Sequence, residues 1–222
     1  FRYHKNIPIV NGNGPVVIIE DSSIEDENEY SNGNGLIDCG ESFYLNLTVK
    51  NIGNAVAEDL NLHITCTDPH VISVSDSQFN DIGNLNPGQS ASTDQNFFIV
   101  LDRFINDQYI IAFDVNLQFN DSLSFVYQYS FRVNAPDFLM AGSIIDDAAN
   151  GNNNGILDPG ESATLIVPAQ NTGHQVSSSP IASLQSNSPY FTILNNESAC
   201  DSIPVGASRN FYFDIIAHEN IP

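Results

Sequence analysis

Between Asp146 and Glu161 the chain reads Asp-Asp-Ala-Ala-Asn-Gly-Asn-Asn-Asn-Gly-Ile-Leu-Asp-Pro-Gly-Glu, a stretch in which side-chain oxygens recur at short, regular intervals. Counted from Asn150 as position one, Asn152 falls at three, Asn154 at five, Gly155 at six, Ile156 at seven, Asp158 at nine and Glu161 at twelve. That is the spacing of a twelve-residue EF-hand calcium loop. Alternate oxygen side chains converge on one point, and glycine at six permits the sharp turn. The carbonyl at seven adds an oxygen, and the distant glutamate closes the sphere with two. The apolar Leu157 at position eight anchors the loop.

The same string occurs earlier. Asn32, Asn34, Gly35, Leu36, Ile37, Asp38 and Glu41 occupy the corresponding positions, and only position one departs, being Tyr30. Asp26 and Asp147 align just upstream of the two loops and are candidates for the oxygen that position one does not supply. A tight turn would need a single Asn-Gly pair; it gives no reason for an aspartate and a glutamate at fixed later positions in both copies. The expected ion is Ca2+, held weakly by ligand sets rich in neutral asparagine, with dissociation constants on the order of 10⁻⁴ to 10⁻³ M.

The elements that position these loops follow from the repeat. Pro15 to Asp26 lies on Pro136 to Asp147 at an offset of 121, and Asn34 to Ser42 lies on Asn154 to Ser162 at an offset of 120. Leu45, Asn51, Gly53 and Val56 continue the match onto Leu165, Asn171, Gly173 and Val176. A period of that length means two domains, not a solenoid of short units. The expected division is a connector over 1–14, one domain over 15–135 and a second over 136–222. Phe1-Arg2-Tyr3 resembles Phe131-Arg132 and reads as the tail of a preceding module.

Apolar residues alternate with polar ones through Phe43, Leu45, Leu47 and Val49, then Leu60, Leu62, Ile64 and Cys66, then Tyr109 to Phe119 and Leu123 to Val133. This is the period of half-buried antiparallel strands. Asp68-Pro69, Asn86-Pro87-Gly88 and Asn120-Asp121 between them are turn chemistry, and no segment carries a sustained helical period. Seven or eight short strands per repeat predict an all-β fold, two tandem immunoglobulin-like β-sandwiches. The second repeat matches through Ala163–Ala169, Pro180–Leu184, Phe191–Leu194 and Asn210–Ala217 but contains no counterpart of the strands over 108–133. It is expected to be an incomplete sandwich, finished by a continuation of the chain, by another chain or by the N-terminal segment.

Twenty-seven acidic residues against six basic ones give a formal charge of -21. Such a surface repels phosphate backbones and anionic membranes, so nucleic acid is excluded as a partner. No apolar run reaches the roughly 20 residues of a membrane span, so membrane insertion is not expected. Phe1-Arg2-Tyr3-His4 is not a signal peptide, and the sequence reads as a piece of a longer protein. Cys39, Cys66 and Cys200 are an odd set without matching positions in the repeats; free buried thiols are the expectation, with a Cys39–Cys66 bridge left open.

Other motifs carry less. His63, Cys66 and His70 resemble a metal cluster in sequence, but residues three apart on a strand face opposite sides. The acids Glu25, Asp26, Glu27 and Glu29 read as a solvated or calcium-facing loop. No nucleophile elbow, phosphate loop or zinc-protease helix is present. Asn46, Asn120 and Asn196 begin N-glycosylation patterns, and Asp121-Ser122-Leu123 and Asp201-Ser202-Ile203 resemble the O-glycosylation sites of Bacteroidetes surface proteins. Phe79, Phe97, Phe98 and Tyr190 form either an aromatic platform or core.

Asn-Gly-Asn-Gly-Leu-Ile-Asp-Cys-Gly-Glu with Leu-Thr-Val-Lys-Asn-Ile-Gly, and Asn-Gly-Ile-Leu-Asp-Pro-Gly-Glu with Asn171-Thr-Gly173, resemble the repeated Ig-like modules of secreted Bacteroidetes proteins, such as those accompanying gingipain-like cysteine peptidases. The likeness covers most of residues 15 to 222, and Asp-x-Gly-Glu is its specific part. It implies a non-catalytic module of an exported, extracellular or cell-surface protein. Its partners would be the other domains of that protein, a surface protein or a glycan. No peptidase nucleophile carries over, though the parent protein could hold a peptidase domain outside these residues. The leading expectation is a calcium-clipped spacer or interaction platform; the alternatives are an accessory region of such a peptidase and a glycan-binding module.

Overall fold

A computed structural model describes residues 14–76, 80–93, 97–120 and 123–220. Most of the N-terminal connector, His4, Phe79 and the Asp121-Ser122 pair lie outside them. The chain divides into two units, Phe1–Asn134 and Ala135–Pro222. Both are all-β, and no helix occurs among the described residues.

In the first unit the strands are β1 (Val17–Glu25), β2 (Ser42–Asn51), β3 (Ala57–Thr65), β4 (Val71–Asp76), β5 (Asn80–Leu85), β6 (Ser90–Ser92), β7 (Phe97–Leu101), β8 (Tyr109–Phe119) and β9 (Leu123–Val133). One antiparallel sheet runs β1-β2-β7-β4, with β6 also on β2; the other runs β5-β3-β8-β9. The predicted alternation is realised: Phe43, Leu45, Leu47 and Val49 turn inward from β2, Leu60, Leu62 and Ile64 from β3, and Ile111 to Phe119 at every second position from β8. These rows meet in one core, where Phe131 lies 5.5 Å from Phe43 and 5.4 Å from Phe113, ring to ring. Burying each such side chain contributes about 1.5–3 kcal/mol over leaving it exposed. Two tyrosines of β9 tie it to the opposite sheet: Tyr127 Oη donates to the Val17 carbonyl at 2.7 Å, and Tyr129 Oη pairs with Ser22 Oγ at 3.2 Å.

The second unit contains β10 (Phe138–Met140), β11 (Ile144–Asp146), β12 (Ser162–Asn171), β13 (Ile181–Ser183), β14 (Phe191–Ile193), β15 (Glu197–Ala199) and β16 (Ser208–Ala217). Its larger sheet runs β10-β12-β16-β14 with β11 also on β12, and β13 pairs with β15 alone. The order β10-β12-β16-β14 parallels β1-β2-β7-β4 of the first unit. Ala217 N donates to the Glu161 carbonyl as Leu101 N does to that of Glu41, and Asp59 and Ser179 share a left-handed φ of 49° and 53°. Strands equivalent to β8 and β9 are missing among the described residues.

Each unit is locked where its chain comes in. Asn51 is fully buried. Its Nδ2 donates to the carbonyls of Ala55 and Leu85, both at 2.8 Å, and its Oδ1 accepts from Val16 N at 3.2 Å and Gly53 N at 2.9 Å. Asn171 repeats the device with Gln175, Ile203, Asp137 and Gly173. The glycines are required by packing: a Cβ at Gly53 would overlap the backbone of Gly14 to Val16, and one at Gly173 the backbone of Ala135 to Asp137.

Candidate metal centres

Both loops stand where sequence placed them, between a first strand and β2 or β12, and each is closed by its own polar side chains. In the first, Asn32 N donates to Glu41 Oε1 at 3.0 Å, while Asn32 Nδ2 and Asn34 Nδ2 both reach Asp38 Oδ2 at 2.9 Å. In the second, Asn152 N donates to Glu161 Oε1 at 3.1 Å, and Asn152 Nδ2 and Asn154 Nδ2 reach Asp158 Oδ2 at 2.8 and 2.9 Å. Asn34 Oδ1 and Asn154 Oδ1 each accept the N–H of the next residue but one, Leu36 and Ile156, at 2.7 Å. The side chains of Leu36 and Ile156 point to solvent, so any contribution of position seven is through its backbone. Gly35 and Gly155 take the left-handed φ of 73° and 74° that the sharp turn at position six requires.

The upstream aspartates join this arrangement through the backbone. Asp26 Oδ2 accepts from Gly35 N at 2.9 Å, and Asp147 accepts from Asn154 N and Gly155 N, both at 3.1 Å. Both aspartates are buried. For Asp147 burial acts to raise the carboxyl pKa, but the N–H groups of Gly155 and Asn154 outweigh it and hold it below the usual carboxylate value. Position one stays apart: Asn150 and Tyr30 are exposed, and Tyr30 makes a local turn on Asn28 Oδ1.

The loops differ at the closing glutamate. In the second, Asp158 N donates to Glu161 Oε2 at 3.2 Å. In the first, Glu41 is only 8 % exposed, yet its Oε2 has no hydrogen-bond partner. Desolvation, and next the charge of Asp38, push the Glu41 carboxyl up to about 7, although backbone N–H groups of Asn32 and Asp38 favour its charged form. A buried carboxylate oxygen without a partner is costly unless a cation or proton meets it. Sequence reasoning also missed Asn134, whose Nδ2 donates to Asp38 Oδ1 at 3.0 Å while its backbone pairs with Ile37 and Cys39. A contact across 96 positions leaves no local signal.

Among the described residues no three His, Cys, Asp or Glu side chains are grouped so as to hold a metal. Each loop also brings two carboxamides, Asn32 and Asn34 or Asn152 and Asn154, which lie outside that donor set. His63 is exposed, and Cys66 Sγ turns instead to the Ala112 carbonyl at 3.3 Å. Cys39, Cys66 and Cys200 are half-buried, and no disulfide joins them. Asn46 of the first glycosylation pattern is buried and donates to Glu25 Oε1 at 2.8 Å. Phe97 lies in the core while Phe98 packs on Tyr44 at 4.9 Å, so these two cannot share a platform.

No family model matches this sequence, and no curated protein matches it. Among solved structures the chain is similar to the secreted serine protease VesC from Vibrio cholerae, at 11% identity and a TM-score of 0.30, over 84% of this chain and 45% of that one.

Proposed function

We propose that this chain is a non-catalytic pair of immunoglobulin-like β-sandwich modules, each with a structural calcium loop, serving as a spacer or interaction platform in an exported protein. The observation that carries the calcium assignment is Glu41 Oε2, a buried carboxylate oxygen left without a partner at the last ligand position of a loop used twice. Asn32, Asn34, Asp38, Glu41 and the Leu36 carbonyl are the proposed ligands in the first unit, with Asp26 alongside. Asn152, Asn154, Asp158, Glu161 and the Ile156 carbonyl are their counterparts, with Asp147. Rotating a carboxamide about χ2 exchanges its nitrogen for its oxygen, so the two Nδ2 groups at Asp38 Oδ2 can give way to oxygens around a cation. The ion supplies charge that the acids lack among themselves and stiffens the loop; no reaction is assigned to it.

The strand orders support the immunoglobulin-like reading. With β1, β2, β3, β4, β7, β8 and β9 as A to G, the sheets read ABED and CFG, with β5 added beside C. The acidity of the chain suits surroundings with millimolar calcium, and secretion is proposed on that ground together with the sequence resemblance. At about 2 mM calcium, dissociation constants of 10⁻⁴ to 10⁻³ M stabilise each module by about 0.6–1.8 kcal/mol, which raises its melting midpoint by several degrees. Thermal melts in 2 mM calcium and in excess chelator test this; superimposable curves would sink the assignment.

A further inference from the structure

Among the described residues two buried side-chain oxygens have no hydrogen-bond partner, Ser31 Oγ and Glu41 Oε2. Both belong to the first loop, although they stand ten residues apart in the chain. The glutamate is the closing ligand already proposed. The serine occupies position two, to which the twelve-residue count assigns no ligand, so spacing alone leaves it without a role.

The second loop shows where a side chain at this position lies. Its residue there is Gly151, and a Cβ on it would stand 3.1 Å from Glu161 Oε2, 2.8 Å from Asp147 Cβ and 2.9 Å from the Asp147 carbonyl oxygen. Position two therefore faces the closing glutamate and the upstream aspartate together. Four residues separate Asp147 from Asn152, and the Gly151 N–H folds back on the Asp147 carbonyl at 2.7 Å, which leaves no space for a side chain. In the first loop five residues separate Asp26 from Asn32, and Ser31 N turns to the Asn28 carbonyl at 3.3 Å instead. The added residue makes room. The glutamates themselves are held alike, by Asn32 N on Glu41 Oε1 at 3.0 Å and by Asn152 N on Glu161 Oε1 at 3.1 Å. Ser31 thus brings a hydroxyl to a position that the second loop keeps bare.

A hydroxyl donates and a carboxylate accepts, so the two could satisfy each other. Here they do not pair, and both oxygens are out of solvent. Such oxygens are costly to bury unless something meets them. A cation meets both at once, because their lone pairs then converge on a common centre and not on one another; calcium gathers about six to eight oxygen ligands in this way.

We propose that Ser31 Oγ is a further calcium ligand of the first loop, supplying the oxygen that Tyr30 at position one does not. This rests on the calcium reading of that loop. The first site then holds its ion with one more protein oxygen than the second, where the corresponding place falls to water. A neutral hydroxyl adds no charge, so its loss changes affinity modestly and hydration by a whole molecule.

The test uses the whole chain carrying Glu161→Gln, so that only the first loop takes up an ion, and compares it with the same chain carrying Ser31→Ala or Ser31→Gly in addition. Calcium affinity is read by calorimetry, and bound water by the luminescence lifetimes of substoichiometric terbium in H2O and D2O, with circular dichroism to show that each variant is folded. Each serine variant should still bind one ion, about fivefold more weakly, and its terbium should carry one more water than in the chain with Ser31. Unchanged affinity or an unchanged water count overturns the proposal and leaves the calcium reading standing. No uptake by the chain with Ser31 intact overturns both.

Discussion

Replacing Asn51 by Asp alters one atom and should be among the most damaging changes in the first unit. The side-chain oxygen that accepts from Val16 N and Gly53 N is kept, but the Nδ2 that donates to the Ala55 and Leu85 carbonyls becomes an acceptor facing two acceptors. Two hydrogen bonds worth about 1 kcal/mol each disappear, and the two carbonyls lose their partner in a fully buried position, so the loss should be about 3–5 kcal/mol. That is a large part of the about 5–15 kcal/mol by which a domain is stable. The sign of its pH dependence is fixed as well. Burial against carbonyls raises the folded pKa of the new carboxyl above its unfolded value of about 3.9. Its protonated form can donate one of the lost bonds, so the deficit is smallest below about pH 4 and grows as pH rises through the folded pKa. The chain has no Trp, so urea unfolding followed by circular dichroism at pH 4 and pH 8 is the assay. A deficit under about 1 kcal/mol, or one independent of pH, would refute the reasoning.

Two further predictions concern the first loop. Without an ion the Glu41 pKa is raised from 4.5 to about 7, mainly by burial; its contribution to stability is therefore complete below pH 4.5 and is lost as pH rises through about 7. Calcium must displace that proton, so the calcium-induced rise in the melting midpoint of the first unit should be larger at pH 8 than at pH 5, and equal rises would contradict it. The Cys39 thiol is pushed up to about 11, first by burial and then by Asp38 and Glu41. At pH 8 about a thousandth of it is thiolate, so iodoacetamide should label Cys39 at least tenfold more slowly in the folded chain than in urea, as read by peptide mass spectrometry.

What sequence could and could not disclose follows from the physics of each element. β2, β3, β8 and β9 bury one face against a shared core, and that leaves a period of two in the chain. β5, β6 and β15 are edge strands built from residues such as Asn80-Asp81 and Glu197-Ser198, held by main-chain bonds that leave no apolar period. The loops were legible because side chains a few residues apart must meet: Asn32, Asn34, Asp38 and Glu41 do converge, as do Asn152, Asn154, Asp158 and Glu161. Asn150, assigned to position one by count alone, stays outside the network. Asn51 and Asn171 were visible as repeated letters only, since their partners lie up to 35 residues away.

The most direct test of the calcium assignment is calorimetric titration of the chain at pH 7.5, alongside Glu41→Gln, Glu161→Gln and the double variant, with circular dichroism to show that each is folded. Two ions should bind the parent chain with dissociation constants on the order of 10⁻⁴ to 10⁻³ M, one ion each single variant, and none the double variant. Uptake unchanged by both substitutions, or no uptake by the parent chain at 10 mM calcium, roughly tenfold above that range, would contradict the account.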